Sequence, residues 1–364
     1  MRRALLSALL VLPLLAGCDT VVLSPSGDIA GQQRDLLLGS TLLMLLIVVP
    51  VMLLTVFFAW RYSDKRRSRY DPEWSHSTGL ELIIWTAPLV IIICIGAITW
   101  TGTHLLDPFR PLDRLGERRP VPENTPPLVV QVVALDWKWL FIYPDQGIAT
   151  VNDAAVPIDR PVRFHLTSQS VMNAFYVPAL AGMIYAMPGM ESQLNAVMNV
   201  PGDYEGFSSN YSGAGFSGMR FRLHGLAQAD FDVWIAKARI DGEPVLDRAR
   251  YLELAQPSEN VAPSSYGDVD PELFRRILNR CVEEGRLCID QMVALDAQGG
   301  TGPAGTVNTI PAEGRRASAL GHAPFFVAEF CTPAESVAQY GADTAQLLAP
   351  ASGPGGPAAP DETL

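Results

Sequence analysis

The apolar positions of this chain follow two regimes that change near residue 105. Before it they run almost unbroken. Leu36 to Trp60 carries no charged side chain, and Leu80 to His104 carries only Glu81 near its start. Each run exceeds the roughly 20 residues a helix needs to cross a bilayer, so 36–60 and 80–104 are predicted spans. Pro50 and Pro88 lie inside them, which spans tolerate when neighbouring helices cover the freed carbonyls. Beyond residue 105 the pattern changes. Val162, Phe164 and Leu166 alternate with Arg163, His165 and Thr167, and Phe221 and Leu223 alternate with Arg220, Arg222 and His224. A period of two marks strands with one buried face. Pro188-Gly189, Pro201-Gly202, Gly213 and Gly215 punctuate the runs as turn residues do. Residues 128–228 therefore predict a β-sandwich, reached through a connector at 105–127.

Helical spacing returns after the strands. Asp230 reads as the cap of a helix carrying Phe231, Trp234, Ile235 and Ala238. Asp270-Pro271 opens a second, with Phe274, Ile277, Leu278 and Cys281 on one face and Gly285 at its end. Residues 229–292 thus form a helical extension. From 293 to 364 Gly, Ala and Pro dominate, which predicts a mostly disordered tail with one candidate docking piece, Phe325-Phe326-Val327.

Charge sets the topology. Arg61, Lys65, Arg66, Arg67 and Arg69 lie between the two apolar runs, so the loop 61–79 is cytoplasmic. Trp60, Tyr62 and Trp74 stand where interfacial aromatics are expected. The amino terminus gives an independent signal. Met1-Arg2-Arg3, the apolar run Ala4–Leu15 and Ala16-Gly17 compose an export sequence. Leu14-Leu15-Ala16-Gly17-Cys18 resembles a bacterial lipobox, which implies removal of 1–17 and acylation of Cys18; the plainer reading is an ordinary signal with a chance cysteine. Export places 18–35 outside, the first span runs inward, and everything after residue 105 is periplasmic. The net charge of −11 opposes a nucleic-acid partner.

Glu81 is the unusual residue of the spans. A carboxylate there is costly and is a functional candidate by default; the plainer reading places it at headgroup level, facing water. The five cysteines, at 18, 94, 281, 288 and 331, include no C-x-x-C pair, so zinc and thioredoxin-like readings lack support. The periplasm permits a Cys281–Cys288 bridge. Seven residues along an unbroken helix would separate the two by about 10 Å, too far to bond. A bridge needs the chain to turn at Gly285, and pairing stays open.

The layout of signal, lipobox, two spans and periplasmic sandwich resembles subunit II of the haem–copper oxidases. Trp85-Thr86-Ala87-Pro88 is similar to that subunit's second span, and Asp136-Trp137-Lys138-Trp139-Leu140-Phe141-Ile142-Tyr143-Pro144 to its aromatic strand. Val171 to Pro178 and Tyr204 to Met219 resemble its two metal loops, while 257–259 and 270–281 resemble the helical extension of the quinol-oxidising branch. The resemblance implies an antiparallel hairpin of two transmembrane helices followed by a cupredoxin-like Greek-key β-sandwich and that extension.

In the branch that oxidises cytochrome c, the domain holds a dinuclear copper centre. Its ligands are one His in the first loop and the pattern C-x-E-x-C-x-x-x-H-x-x-M in the second. The matching positions here are Asn173, Ser208, Asn210, Ser212, Phe216 and Met219, so only the methionine is kept. Chemistry points the same way, since such a site needs thiolates and imidazoles. No cysteine lies between Leu128 and Ile240, and His165 and His224, the only histidines there, read as solvated. Met172, Met183, Met187, Met190 and Met198 read as gap-filling core and not as copper carriers. Trp137 and Trp139 read as core and interface packing.

The resemblance then implies a cytochrome bo-type ubiquinol oxidase of the bacterial inner membrane. This chain would hold no cofactor, no metal and no catalytic residue. Haems, the remaining copper and the ubiquinol site belong to partner subunit I, with subunits III and IV and membrane lipid as further partners. Glu81 matches a glutamate at the mouth of a proton-uptake path. Two alternatives are a cytochrome c oxidase subunit II, which needs the missing ligands, and a stand-alone membrane lipoprotein for metal binding or assembly.

Overall fold

The computed structural model describes residues 20–63, 73 and 76–297. Cys18, the basic residues Lys65 to Arg69, Trp74, Cys331 and the tail from 298 lie outside them.

Two long helices come first, α1 (Asp28–Arg61) and α2 (Thr78–Leu105). Both are apolar enough to span a bilayer. At 1.5 Å per residue, the 34 residues of α1 reach about 51 Å, well beyond the roughly 30 Å hydrocarbon core. Only the part from Leu36 is apolar. The helix starts eight residues earlier than the apolar run, and its first two turns carry Gln32, Gln33, Arg34 and Asp35. Its start is pinned to the sandwich. Gly27 N–H donates to Ala179 O at 2.8 Å, and a Cβ at Gly27 would stand 2.5 Å from Leu180 O. Gly102 of α2 likewise admits Leu36 of α1, whose Cδ1 would lie 2.7 Å from an added Cβ. Both prolines are accommodated inside continuous helices.

The connector forms a small ribbon of β1 (Arg114–Gly116) and β2 (Arg119–Pro120). The sandwich follows. Its strands are β3 (Leu128–Leu135), β4 (Lys138–Tyr143), β5 (Ile148–Val151), β6 (Asp153–Pro157), β7 (Pro161–Ser168) and β8 (Asn173–Tyr176). They continue with β9 (Ile184–Ala186), β10 (Ser192–Val197), β11 (Gly202–Ser208), β12 (Arg220–Leu226) and β13 (Ser264–Tyr266). One sheet has the order β10-β7-β3-β4-β5-β13 and the other β6-β12-β11-β8-β9. The β3–β7 and β6–β12 pairs are parallel, as crossovers between sheets require. Between the sheets the rings of Phe175 and Phe221 stack at 5.3 Å, and Trp139 meets Phe175 edge-on at 5.5 Å. Such pairs add to the burial of the rings themselves.

Alternation on β7 holds for Val162, Phe164 and Leu166, which are buried. Thr167 departs from it: it is buried too, because its hydroxyl donates to Met187 O at 3.2 Å. The methionine expectation also needs correction. Met198 is core, but Met172, Met183 and Met190 are exposed and Met187 is only partly covered.

The helix α3 (Gln228–Asp241) buries Phe231, Ile235 and Ala238. Its cap is Ala227, not Asp230, which sits in the first turn where a carboxylate favours the helix dipole. Next come α4 (Arg248–Leu254), capped by Asp247, and α5 (Leu273–Leu278). The latter ends seven residues before Gly285, shorter than its apolar spacing predicted.

Of the described residues, 279–297 belong to a separate unit. In it the chain turns through Arg280 (φ 53°) and Gly285 (φ 79°) and then enters α6 (Ile289–Ala297). The turn brings Cys281 and Cys288 to a Cα separation of 4.8 Å, and they are disulfide-bonded.

Candidate functional site

The two loop regions singled out in the sequence meet at one end of the sandwich. Asn173 opens β8, and Ser208 closes β11 beside it. Ser208 Oγ donates towards Asn173 Oδ1 (3.1 Å) and Asn210 O (3.2 Å), and accepts from Ala174 N–H at 3.4 Å. Asn173 Nδ2 in turn donates to Val171 O at 3.1 Å. The loop then carries Ser212, whose hydroxyl reaches Met219 Sδ at 3.9 Å. Phe216 opens a 3-10 turn (Phe216–Gly218) and packs edge-on against Tyr211, with centroids 5.6 Å apart. Asn210 is directed otherwise: its main-chain carbonyl faces Ser208, while its side-chain amide donates outward to Met172 O at 3.1 Å.

Sequence reasoning missed what holds this loop. Asp136 and Trp137 are not strand residues but the two-residue turn between β3 and β4, with Trp137 at φ 65°. The indole Nε1–H donates to Ser212 O at 3.1 Å, and the ring packs against Gly213 and Gly215. Gly213 (φ +115°) and Gly215 are needed there, since a Cβ at 215 would stand 2.6 Å from the ring. From the other side, segment 256–261 closes on the loop. Lys138 is buried, and its Nζ donates to Gln256 O (2.8 Å) and Ser258 Oγ (2.5 Å). Burial lowers its pKa against the opposing pull of Asp136. Asn152 Nδ2 donates to Val261 O at 2.8 Å. The one signal for Lys138 was a lysine in the middle of an aromatic strand.

The histidines are not simply solvated. His165 bonds Glu191. His224 is held between Asp203 (2.6 Å to Nδ1) and Asp153 (2.8 Å to Nε2). Its pKa is raised to about 9, first by the Asp153 hydrogen bond, against the cost of burial, and then by Asp203.

Glu81 is not part of the loop cluster. It is exposed in the first turn of α2, 24 residues before the connector end of that helix, or about 36 Å along its axis. Cys18 lies outside the described residues.

The donor atoms at the loop cluster are two hydroxyls, two amides and one thioether. A dinuclear copper centre needs thiolates and imidazoles, and these residues do not fit one. Among the described residues no group of three or more His, Cys, Asp or Glu is placed to hold a metal.

Residues 144–225 match the family "Cytochrome C oxidase subunit II, periplasmic domain", and 242–285 match "COX Aromatic Rich Motif". The chain is 46% identical over 268 residues to the cytochrome bo(3) ubiquinol oxidase subunit 2 of Pseudomonas putida, covering 73% of this chain and 82% of that one. It is 46% identical to the ubiquinol oxidase subunit 2 of Acetobacter aceti, covering 73% and 84%.

The chain belongs to the subunit II family of bo(3)-type ubiquinol oxidases.

A crystal structure of the periplasmic domain of subunit II of cytochrome oxidase from Bradyrhizobium japonicum also aligns, at 22% identity and TM-score 0.30, over 32% of this chain and 95% of that one. As a subunit II, the chain is one component of an oxidoreductase complex, with two candidate membrane helices and a cupredoxin-like domain. Its aromatic-rich segment, 242–285, contains the 256–261 stretch that closes on the loop cluster.

Proposed function

We propose that this chain is the non-redox subunit II of a proton-pumping ubiquinol oxidase in the aerobic respiratory chain of a bacterial inner membrane. Its relatives carry that oxidase's name. The observation that carries the finer reading is the donor set around Ser208: hydroxyl, amide and phenyl groups stand where a copper-bearing subunit needs sulfur and imidazole. With no electron acceptor here, quinol must be oxidised in partner subunit I, which would hold the haems and the copper. Subunits III and IV would complete the complex.

The role left to this chain is support of the core subunit and delivery of protons. Glu81 is an exposed carboxylate at the end of α2 away from the sandwich. From there it would collect protons on the cytoplasmic side and pass them to subunit I. An acylated Cys18 would add a lipid anchor outside, with the bulk of the chain periplasmic.

Purified from native membranes, the complex should oxidise ubiquinol and not reduced cytochrome c, and its copper content should match the single copper of subunit I. Cytochrome c oxidation, or copper that copurifies with this chain alone, overturns the reading and favours a cytochrome c oxidase subunit. Failure to copurify with a haem-bearing subunit favours a stand-alone lipoprotein. Mass spectrometry of the amino-terminal peptide tests Cys18, where an unmodified thiol contradicts the anchor.

A further inference from the structure

A cleft opens between α1 and α2 near the sandwich. Its part within the helices has a volume of about 600 Å³ and is lined by Leu36, Gly39, Ala97, Ile98, Gly102 and Leu105 among others. Gly39 leaves space in it, since nothing lies within 4 Å of a Cβ built there. Above it, a pocket of about 180 Å³ is lined by the charged side chains Asp28, Asp107, Arg110, Asp113 and Arg114 together with apolar ones such as Ile29, Leu112 and Met183. Gln32, Leu105, Leu106 and Arg114 line both parts, so the apolar groove continues into the polar mouth.

The mouth has charges of both signs. Arg114 grips Asp28 through Nε (2.9 Å) and Nη2 (3.2 Å), and Arg110 Nη2 bonds Asp113 at 2.8 Å. These bonds leave further N–H groups of both guanidinium forks available. At the mouth Asp28, Asp107 and Asp113 give three carboxylates against two guanidiniums, while Asp35, in the groove, is paired with Arg34 at 2.7 Å.

We propose that this cleft binds one zwitterionic glycerophospholipid of the outer leaflet, with its phosphate at Arg110 and Arg114, its ammonium at the carboxylates, and one acyl chain between α1 and α2. The assignment follows from charge complementarity. An anionic headgroup meets a net negative mouth, and a neutral quinol ring leaves the remaining N–H groups of Arg110 and Arg114, and the Asp107 carboxylate, without a charged partner beyond the mouth's own pairs. A zwitterion answers both. The groove is also apolar and opens where the apolar part of α1 begins.

The test uses the full chain with its copurifying subunits, reconstituted in vesicles containing phosphatidylethanolamine with a diazirine on its acyl chain. Irradiation should crosslink peptides covering 32–39 and 97–106 of this chain at least fivefold above the rest of its two helices. Gly39→Leu, which fills the groove, should remove that excess. Uniform labelling along both helices overturns the proposal, as does an excess that survives Gly39→Leu. Displacement by phosphatidylglycerol or ubiquinol as effective as by unlabelled phosphatidylethanolamine overturns the zwitterionic assignment. If Gly39→Leu does not assemble, native mass spectrometry of the unmodified complex decides: a retained phosphatidylethanolamine on this chain supports the site, and its absence rejects it. Labelling is read on this chain whichever subunits accompany it, so the result is separable from the oxidase reading.

Discussion

Ser208 and Asn173 form a buried hydroxyl–amide pair at 3.1 Å, joining the end of β11 to the start of β8. On the proposed reading, a polar contact between protein groups thus occupies two of the positions that match copper ligands. Removing one partner strands the other in a dry environment, at a cost of about 1–3 kcal/mol. Ser208→Ala should therefore lower the unfolding free energy of the periplasmic domain by that amount, read as a lower denaturant midpoint at unchanged m-value. Asn173→Leu combined with Ser208→Ala should recover part of the loss. An unchanged midpoint in Ser208→Ala would show that water replaces the lost bond.

His224 predicts a pH dependence. Its folded pKa, about 9, lies above the ordinary value of 6.5 because two aspartates hold its protonated form. The folded state binds the proton more tightly, so the stabilisation is full below about pH 6.5 and is lost as pH rises through 9. Thermal melts of the domain should show a fall in Tm between these limits. His224→Gln should flatten that window while leaving the acid limb in place. A wild-type slope in the variant would assign the fall to other groups.

The disulfide gives a chemical prediction. Alkylation of the unfolded, unreduced chain should label Cys94 and leave Cys281 and Cys288 unmodified, since Cys94 is free and the other two are bonded. Closing so short a loop stabilises by about 2–3 kcal/mol in the chain-entropy picture. Cys281→Ser with Cys288→Ser should accordingly speed proteolysis within 279–297 and leave the sandwich melt unchanged.

Spans, strands and the extension were legible because they rest on period and run length, which the backbone enforces directly. Phe231, Ile235 and Ala238 face inward as their spacing required. What stayed hidden depends on contacts between distant segments. Thr167 reads as an outward residue until Met187 O is beside it, and His224 as a solvated one until Asp153 and Asp203 close on it. Trp137 looks like a strand residue in sequence; only the turn at Asp136 shows that it carries the loop. The exposed methionines misled because composition does not say which face a loop presents.

Glu81→Gln should slow quinol oxidase turnover severalfold without loss of haem or assembly. Glutamine keeps size and polarity but cannot carry a proton. Glu81 is exposed at the helix start of this chain, so the change removes no packing within the chain itself. Glu81→Asp should be milder. Wild-type turnover in assembled Glu81→Gln would return this residue to a solvated position at the headgroups.

The sharpest prediction is that the loop cluster can be turned back into a metal site. All the positions needed but 216 are already joined: 208 touches 173 at 3.1 Å and Met219 O at 3.2 Å, and 212 touches Met219 Sδ at 3.9 Å. The scaffold beneath them is set by Trp137 and the glycines, which the substitutions leave alone. Asn173→His, Ser208→Cys, Ser212→Cys and Phe216→His together supply two thiolates and two imidazoles, the donors that copper electron-transfer sites use. Position 210 already presents its main-chain carbonyl to the cluster while its side chain points out. Asn210→Glu should therefore add little. The refolded four-fold variant should give a thiolate–copper chromophore in the visible and near-infrared when copper is added, and the parent domain should give none. A coloured parent would contradict the oxidase reading outright. A variant that folds but stays colourless would mean that Phe216, now turned against Tyr211, does not swing its position towards the other ligands.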